Sequence, residues 1–448
     1  MKELSMKIVN DRAAGVDVGS RSHMVAVDQE AAHVKEFGVY TSDHELLVKH
    51  LRENRILTVA MESTGSYWQT LFTALQKAGF EVVLVNARYI KNVKGKKTDV
   101  IDCLWIQKLH SLGLLQGSFL LSDQLQTLRT YYQHRQYLIE QTSKYINKMQ
   151  KALRLMNIRL DIVINDITGK SGRAILDAIL NGERDAQQLV LLVNAGVKKS
   201  REEIIRSLKG EWRDDLLFEL KSCLSLFDTY ERQIVECDKK MYSALNQSLP
   251  DLPEQKLKTI RKQKNKHSPT FNVRHLALAT LKTDLFEIPG VSHNTVLCLL
   301  SHMGNDINKF ATAKQFASWL RLVPNNKVSG GKVISTHTPK GKNRLALAFR
   351  QAANSVGNQK NHPLGPFFKK IAYRKGRPAA ITATARKLSV ITWNMITKRE
   401  AYKQANNQID PDEIKQRKLK AIRSSLIRLD INEQEWKTLF QTPPSRNQ

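Results

Sequence analysis

Four carboxylates in the first quarter of this 448-residue chain, Asp17, Glu62, Asp99 and Asp102, are the residues best placed to do chemistry. Asp17 ends the apolar run Ala13-Ala14-Gly15-Val16, and Glu62 ends the run Leu57-Thr58-Val59-Ala60-Met61. Asp99 and Asp102 are three residues apart, so on a helix they share a face. Acids gathered at one point of a basic protein repel one another unless a cation offsets them. A hard divalent ion bound through oxygen is the economical partner, and Mg²⁺ beside a phosphodiester is its usual use. The residues alone leave open whether one ion or two would bind. Taken singly, each carboxylate reads as a surface residue or a helix cap, Asp99 next to Thr98 being an example. The joint placement, at two strand ends and one helix face, points to a metal site.

Two further motifs lie far downstream. Ile288-Pro289-Gly290-Val291-Ser292 resembles the turn of a helix-hairpin-helix, whose backbone amides hold a phosphate at a helix N-terminus. Such turns usually carry a second glycine where Ser292 stands, and a Pro-Gly turn capping a core helix is the equal alternative. Val328-Ser329-Gly330-Gly331-Lys332 places a serine before two glycines, a loop whose backbone can approach a ligand closely. A serine hydroxyl is a poor nucleophile without a base or a metal, so on spacing alone this is a flexible turn. No His–Asp arrangement around it spells a hydrolase triad, and His337 reads equally as a phosphate contact or an exposed residue.

Composition narrows the partner. Lys and Arg total 71 against 42 Asp and Glu, giving a net charge of +29 and a pI near 9.9. From Ile307 through Arg399 there is no acidic residue while nineteen Lys and Arg occur, the footprint of a phosphate backbone. Candidate nucleic-acid contacts are Lys94, Lys96 and Lys97 in a basic loop, Gly290 in the Pro-Gly turn, Gly330, Gly331 and Lys332 in the serine loop, and Lys340, Lys342 and Arg344 beyond it. No apolar stretch is long enough to span a bilayer, and the N-terminus has no export segment, which sets a membrane partner aside. Cys103, Cys223, Cys237 and Cys298 are scattered without C-x-x-C spacing, which argues against zinc or a disulfide frame and fits a reduced cytosol.

The elements that must hold these residues can be read from periodicity. Residues 13–18, 22–28 and 33–40 read as strands, 42–52 as a helix, 56–61 as a strand, 66–77 as a helix, 81–85 as a strand, and 98–112 as a helix. Three strands followed by alternating helix and strand is the order of an RNase H-like core, so 1–115 is the expected catalytic domain. Residues 122–160 read as one long helix, through Leu125, Leu128, Tyr132, Leu138, Ile146, Met149 and Leu153, and 212–249 as a second that packs back on it as an antiparallel coiled coil. The expected organisation is therefore α/β plus α. Residues 116–283 form a helical coiled-coil region with an inserted helical segment, 161–208, and a basic linker, 254–268. Residues 284–402 form a basic, mostly helical domain, followed by a tail, 403–448, of no assigned role.

Together the motifs resemble the DEDD transposases of bacterial insertion sequences of the IS110 ("IS one-ten") group, including its IS1111-like branch, with Piv-type DNA invertases as relatives. The resemblance rests on Gly15-Val16-Asp17-Val18-Gly19-Ser20-Arg21-Ser22-His23, Met61-Glu62-Ser63-Thr64-Gly65-Ser66-Tyr67-Trp68 and Lys97-Thr98-Asp99-Val100-Ile101-Asp102. Its second half is Ile288-Pro289-Gly290-Val291, Phe316-Ala317-Ser318-Trp319-Leu320-Arg321-Leu322-Val323-Pro324, Ser329-Gly330-Gly331-Lys332 and Lys340-Gly341-Lys342-Asn343-Arg344-Leu345. Order and spacing agree over 13–112 and about 285–400, while the middle and the tail carry no motif of the family. The departures are Cys103, where a small alanine is common, and Ser292 in place of glycine.

The resemblance implies a RuvC-like N-terminal domain with Asp17, Glu62, Asp99 and Asp102 as Mg²⁺ ligands. It implies that Ser329 attacks DNA to form a phosphoserine, with the two sites meeting in a composite centre. It also implies a bridge (seeker) RNA encoded by the element that pairs with donor and target DNA. The apolar stripes of 122–160 and 212–249 need a partner, within the chain or in another subunit, and synapsis of two DNA sites favours a homo-oligomer (dimer or tetramer); the expected location is cytoplasmic and nucleoid-associated. A metal-dependent junction nuclease without a covalent intermediate, and a non-enzymatic nucleic-acid-binding protein, are the competing readings.

Overall fold

Ala13–Val18 (β1) is buried at every residue but the half-buried Asp17, the pattern of a central strand with one functional position. In the computed structural model it lies in the middle of a five-stranded sheet with His23–Ala26 (β2), Lys35–Phe37 (β3), Thr58–Glu62 (β4) and Glu81–Val85 (β5). The order is β3-β2-β1-β4-β5, with β1–β2 and β2–β3 antiparallel and β1–β4 and β4–β5 parallel. This is a mixed α/β arrangement consistent with the expected RNase H-like core.

The structure describes residues 7–63, 65–86, 98–118, 122–247, 267–304, 306–339, 341, 343–403, 416, 419 and 422–424. The chain divides into two compact units, Met1–Leu120 and Leu121–Gln448.

In the first unit one face of the sheet, through Val16, Val25, Val59, Met61 and Leu84, packs on helices Thr41–Glu53 (α1) and Trp68–Lys77 (α2), which bury Leu47, Leu51, Leu71 and Leu75. The third strand is shorter than its sequence suggests. Its chain turns away at Gly38, where an added Cβ would fall 2.1 Å from Asp43 Oδ2, and that carboxylate accepts the Tyr40 amide at 3.0 Å to start α1. The opposite face is covered by Asp99–Ser111 (α3).

His23 on β2 is 1% exposed, its ring centroid 5.5 Å from that of His44, and neither of its nitrogens has a hydrogen-bond partner. Burial, and then the neighbouring His44, depress its pKa to about 4. The fold therefore holds the neutral imidazole, whereas the unfolded chain begins to bind the proton near pH 6.5. Stability present above pH 6.5 is lost as pH falls toward 4 and changes no further below that, by about 3 kcal/mol for this one residue. Denaturant titrations at pH 7 and pH 4.5 should show that drop for wild type and a smaller one for His23→Gln. Equal drops would remove His23 as the cause.

The second unit is helical. Asp123–Leu155 (α4) and Asp214–Asn246 (α7) are each 33 residues long and run antiparallel. Tyr145 stacks on Tyr230, Leu138 meets Ile234 and Cys237, and Arg135 pairs with Asp238. That last pair is almost wholly buried and tethers the following segment, because Arg135 donates to the His267 carbonyl and Asp238 accepts the Thr270 amide. Lys170–Leu180 (α5) and Arg201–Leu208 (α6) close the far end of the helix pair around Met149, Leu153, Ile175 and Leu220. The apolar stripe of α4 is thus partnered within the chain.

Val273–Leu281 (α8), His293–His302 (α9) and Ala313–Trp319 (α10) lead to a hairpin, Lys327–Ser329 (β6) and Lys332–Ser335 (β7). Arg344–Asn358 (α11), Gly365–Lys375 (α12) and Arg377–Lys398 (α13) complete the unit. Among the described residues no helix is long and apolar enough to cross a membrane.

Candidate active site

Asp17 and Glu62 reach the same face of the sheet because register demands it. Val16 pairs with Met61 in the parallel β1–β4 ladder, so the two acids are the next residues on adjacent strands. Side chains alternate along a strand, and both acids therefore share the face of Gly15, Ala60, Val83 and Val85, onto which Ile106 of α3 packs.

Helix α3 runs antiparallel to β1. Gln107 Nε2 donates to the Ala13 carbonyl at 3.0 Å, His110 Nε2 lies 2.9 Å from Thr58 Oγ1, and Asn10 holds the His110 carbonyl. The helix N-terminus consequently lies toward the C-terminal end of β1, bringing Asp99 and Asp102 in its first turn. The partial positive charge of a helix start favours acids there. Thr98, and not Asp99, caps this helix, accepting the Ile101 amide at 3.3 Å.

Cys103 marks the convergence. Its thiol is pushed up to about 12 by burial first and then by the negative charges of Asp17 and Asp102, so the field of acids from both the strand and the helix reaches it. In the sequence this cysteine reads as a departure from the family pattern; in the structure it is fully buried where α3 lies on β1.

The close approach has one strict requirement. A Cβ on Gly15 would fall 2.3 Å from the Gln107 amide nitrogen and 2.5 Å from the Cys103 carbonyl, both backbone atoms of α3. Gly15→Ala must push the helix off the sheet, at a cost of about 1–3 kcal/mol or more, and carry Asp102 away from Asp17. DNA cleavage by Gly15→Ala is expected to fall at least tenfold although no carboxylate has changed. Activity equal to wild type would show that the helix–sheet contact does not position the acids. A glycine inside an apolar strand is the sequence signal for such an approach.

The donor set suits a hard divalent cation: carboxylates from two strand ends and one helix turn, with Mg²⁺ needing only one or two of them and taking water and phosphate for the rest. Among the described residues no three His, Cys, Asp or Glu side chains stand close enough together to hold an ion unaided.

Ser329 is the last residue of β6, opposite Lys332, and Gly330 and Gly331 between them both have positive φ, at 54° and 74°. That is the two-residue turn that matches the twist of a hairpin, and no side chain fits it as well as glycine. The loop expected from spacing is therefore a tight hairpin tip, with Ser329 and Lys332 exposed. Val328, Val333 and Ile334 on its strands are 59–68% exposed, unusual for apolar residues of an isolated ribbon.

Gly290 has φ 85° in a turn closed by the Val291 amide on the Ile288 carbonyl, and it packs against Val356 and Ala352 of α11. Arg344 is exposed at the start of α11, where Asn343 accepts the Ala346 amide as cap. Lys94, Lys96, Lys97, Lys340 and Lys342 lie outside the described residues, as does most of the basic linker.

Comparison with known proteins adds two matched segments. Residues 14–158 match the family model for the DEDD transposase domain of IS110, described as "Transposase", and residues 282–368 match that of "Transposase IS116/IS110/IS902 family". The chain is 29% identical over 120 residues to the transposase for insertion sequence element IS1111A of Coxiella burnetii, covering 26% of this chain and 33% of that protein. It is 30% identical over 129 residues to "Putative transposase y4pF/y4sB" of Sinorhizobium fredii, covering 28% and 33%. The aligned part spans about a third of the length of these curated relatives. Asp17, Glu62, Asp99 and Asp102 fall within the first matched segment, and Gly290, Ser329 and Lys332 within the second.

Proposed function

Because this chain belongs to the IS110 family of transposases, we propose that it cuts and rejoins DNA strands of an insertion sequence, with Ser329 as nucleophile and Asp17, Glu62, Asp99 and Asp102 as the metal-binding set. The observation that carries the reading is the gathering of Asp17, Glu62 and the first turn of α3 on one face and end of the sheet. In the cleavage step the Ser329 Oγ–H bond breaks and a bond from Oγ to the scissile phosphorus forms. The bond from phosphorus to one deoxyribose oxygen breaks, and that oxygen leaves with a proton as a free hydroxyl. Rejoining is the reverse step with a hydroxyl from another strand, so the bond energy of the phosphodiester is conserved in the phosphoserine.

Mg²⁺ bound by one or two of these carboxylates would supply neutralisation of charge on the scissile phosphate and ease ionisation of a hydroxyl. The chain's own contribution is placement. The hairpin presents the hydroxyl clear of other side chains, and the acid-free stretch from Ile307 to Arg399 binds backbone phosphates. Sequence choice falls to an element-encoded bridge RNA, which explains a large positive charge without a base-reading motif. Synapsis of donor and target calls for a dimer or tetramer in the nucleoid-containing cytoplasm, and we read the α4–α7 pair as a coiled-coil arm of that assembly.

The experiment is strand exchange between donor and target DNA with the RNA that co-purifies with the protein. Recombinant joints that vanish when that RNA is removed are expected. Free 5′-phosphates released with no protein-linked species would turn the reading to a junction nuclease.

A further inference from the structure

The second unit contains a groove of about 1210 Å³ between the base of the hairpin and helices α12 and α13. Its apolar floor includes Phe367 and Ile371, half-buried residues of α12. Arg374 and Lys375 from α12 and Arg386 and Lys387 from α13 line it, and the Lys387 ammonium lies 4.7 Å from the centroid of the Phe367 ring. No lining residue is acidic.

We propose that this groove takes one unpaired DNA strand, the strand carrying the phosphodiester that Ser329 attacks. The proposal rests on the function proposed above and adds where the strand runs. Three features select this occupant. The volume exceeds the roughly 300–1,000 Å³ of small-molecule pockets, which favours a polymer segment. The Phe367 ring and aliphatic surface beside four cations are the combination that binds single strands, whose bases have free faces, and a duplex hides those faces. Asn326 lines the groove and is three residues from Ser329 on the hairpin, about 10 Å at the rise of a strand. A nucleotide chain leaving the nucleophile therefore enters the groove within a step or two. A guide RNA paired to its target has no free base faces to offer.

The test measures binding by the full chain, with chelator present so that no strand is cut, to a fluorescent single-stranded DNA, the same sequence as duplex, and the same sequence as single-stranded RNA. Lys387→Glu is expected to weaken single-stranded DNA binding about tenfold and to make its salt dependence shallower by roughly 0.7 in log–log slope. Phe367→Leu, which keeps volume and removes the ring, should weaken it about fivefold, while duplex affinity stays within about twofold. Arg374→Glu, on an exposed side chain, replaces Lys387→Glu if circular dichroism shows that variant unfolded.

Unchanged single-strand affinity in both classes of variant overturns the proposal. So do equal losses for single strand and duplex, which would mean a general electrostatic surface, or tighter and more variant-sensitive binding of the RNA. Because no chemistry occurs in this assay, its failure leaves the phosphoserine reading intact. An adduct that survives Ser329→Ala would end the phosphoserine reading and leave the groove as a single-strand site.

Discussion

Ser329→Ala is expected to abolish strand exchange and the covalent protein–DNA species together, by at least about 10³-fold, the scale on which removing a nucleophile acts. The serine sits at the tip of an exposed two-stranded hairpin, so deleting its hydroxyl leaves no buried cavity and no orphaned partner in a core. Stability should change by less than about 0.5 kcal/mol, and affinity for DNA should hold. Loss of reaction with retained binding and folding is what separates a nucleophile from a phosphate contact, which would weaken affinity instead. Labelled DNA resolved on a denaturing gel reads the adduct directly. A protein-linked band that survives Ser329→Ala ends the serine assignment.

Local patterns made most of the first unit legible. Apolar runs and the Gly79 break placed β1, β4 and β5 within a residue or two, and the three-residue spacing of Asp99 and Asp102 put both on the first turn of α3. The long-range consequences were not legible. That β1 must carry glycine at position 15 follows from the helix backbone lying on it, and that contact joins residues about ninety apart in sequence. Cys103 likewise is fully buried only when helix meets sheet. Arg135 and Asp238 lie 103 residues apart, and only the antiparallel pairing of the two helices buries them together. The groove has no sequence signature at all, since its walls come from the hairpin and from two helices beyond it. The Ser-Gly-Gly motif was readable as a turn, but its hairpin geometry depends on Val328 and Val333 pairing across it.

Asp17→Ala and Asp102→Ala are expected to remove strand cleavage by a comparable factor, about 10³ or more, while DNA binding stays near normal or improves, since each deletes a negative charge beside a polyanion. Adding Mg²⁺ discriminates further. An ion bound only by the folded state at about 100 times its Kd raises stability by about 2.7 kcal/mol, and wild-type protein should show an upward shift in Tm that both variants lose. Asp99→Ala and Glu62→Ala test the remaining positions in the same assay, and Asp17→Asn shows whether charge or volume matters. Variants that recombine at wild-type rates, or that keep the full Mg²⁺-dependent shift, would make these carboxylates structural, and the acidic end of the sheet would then have no part in the reaction.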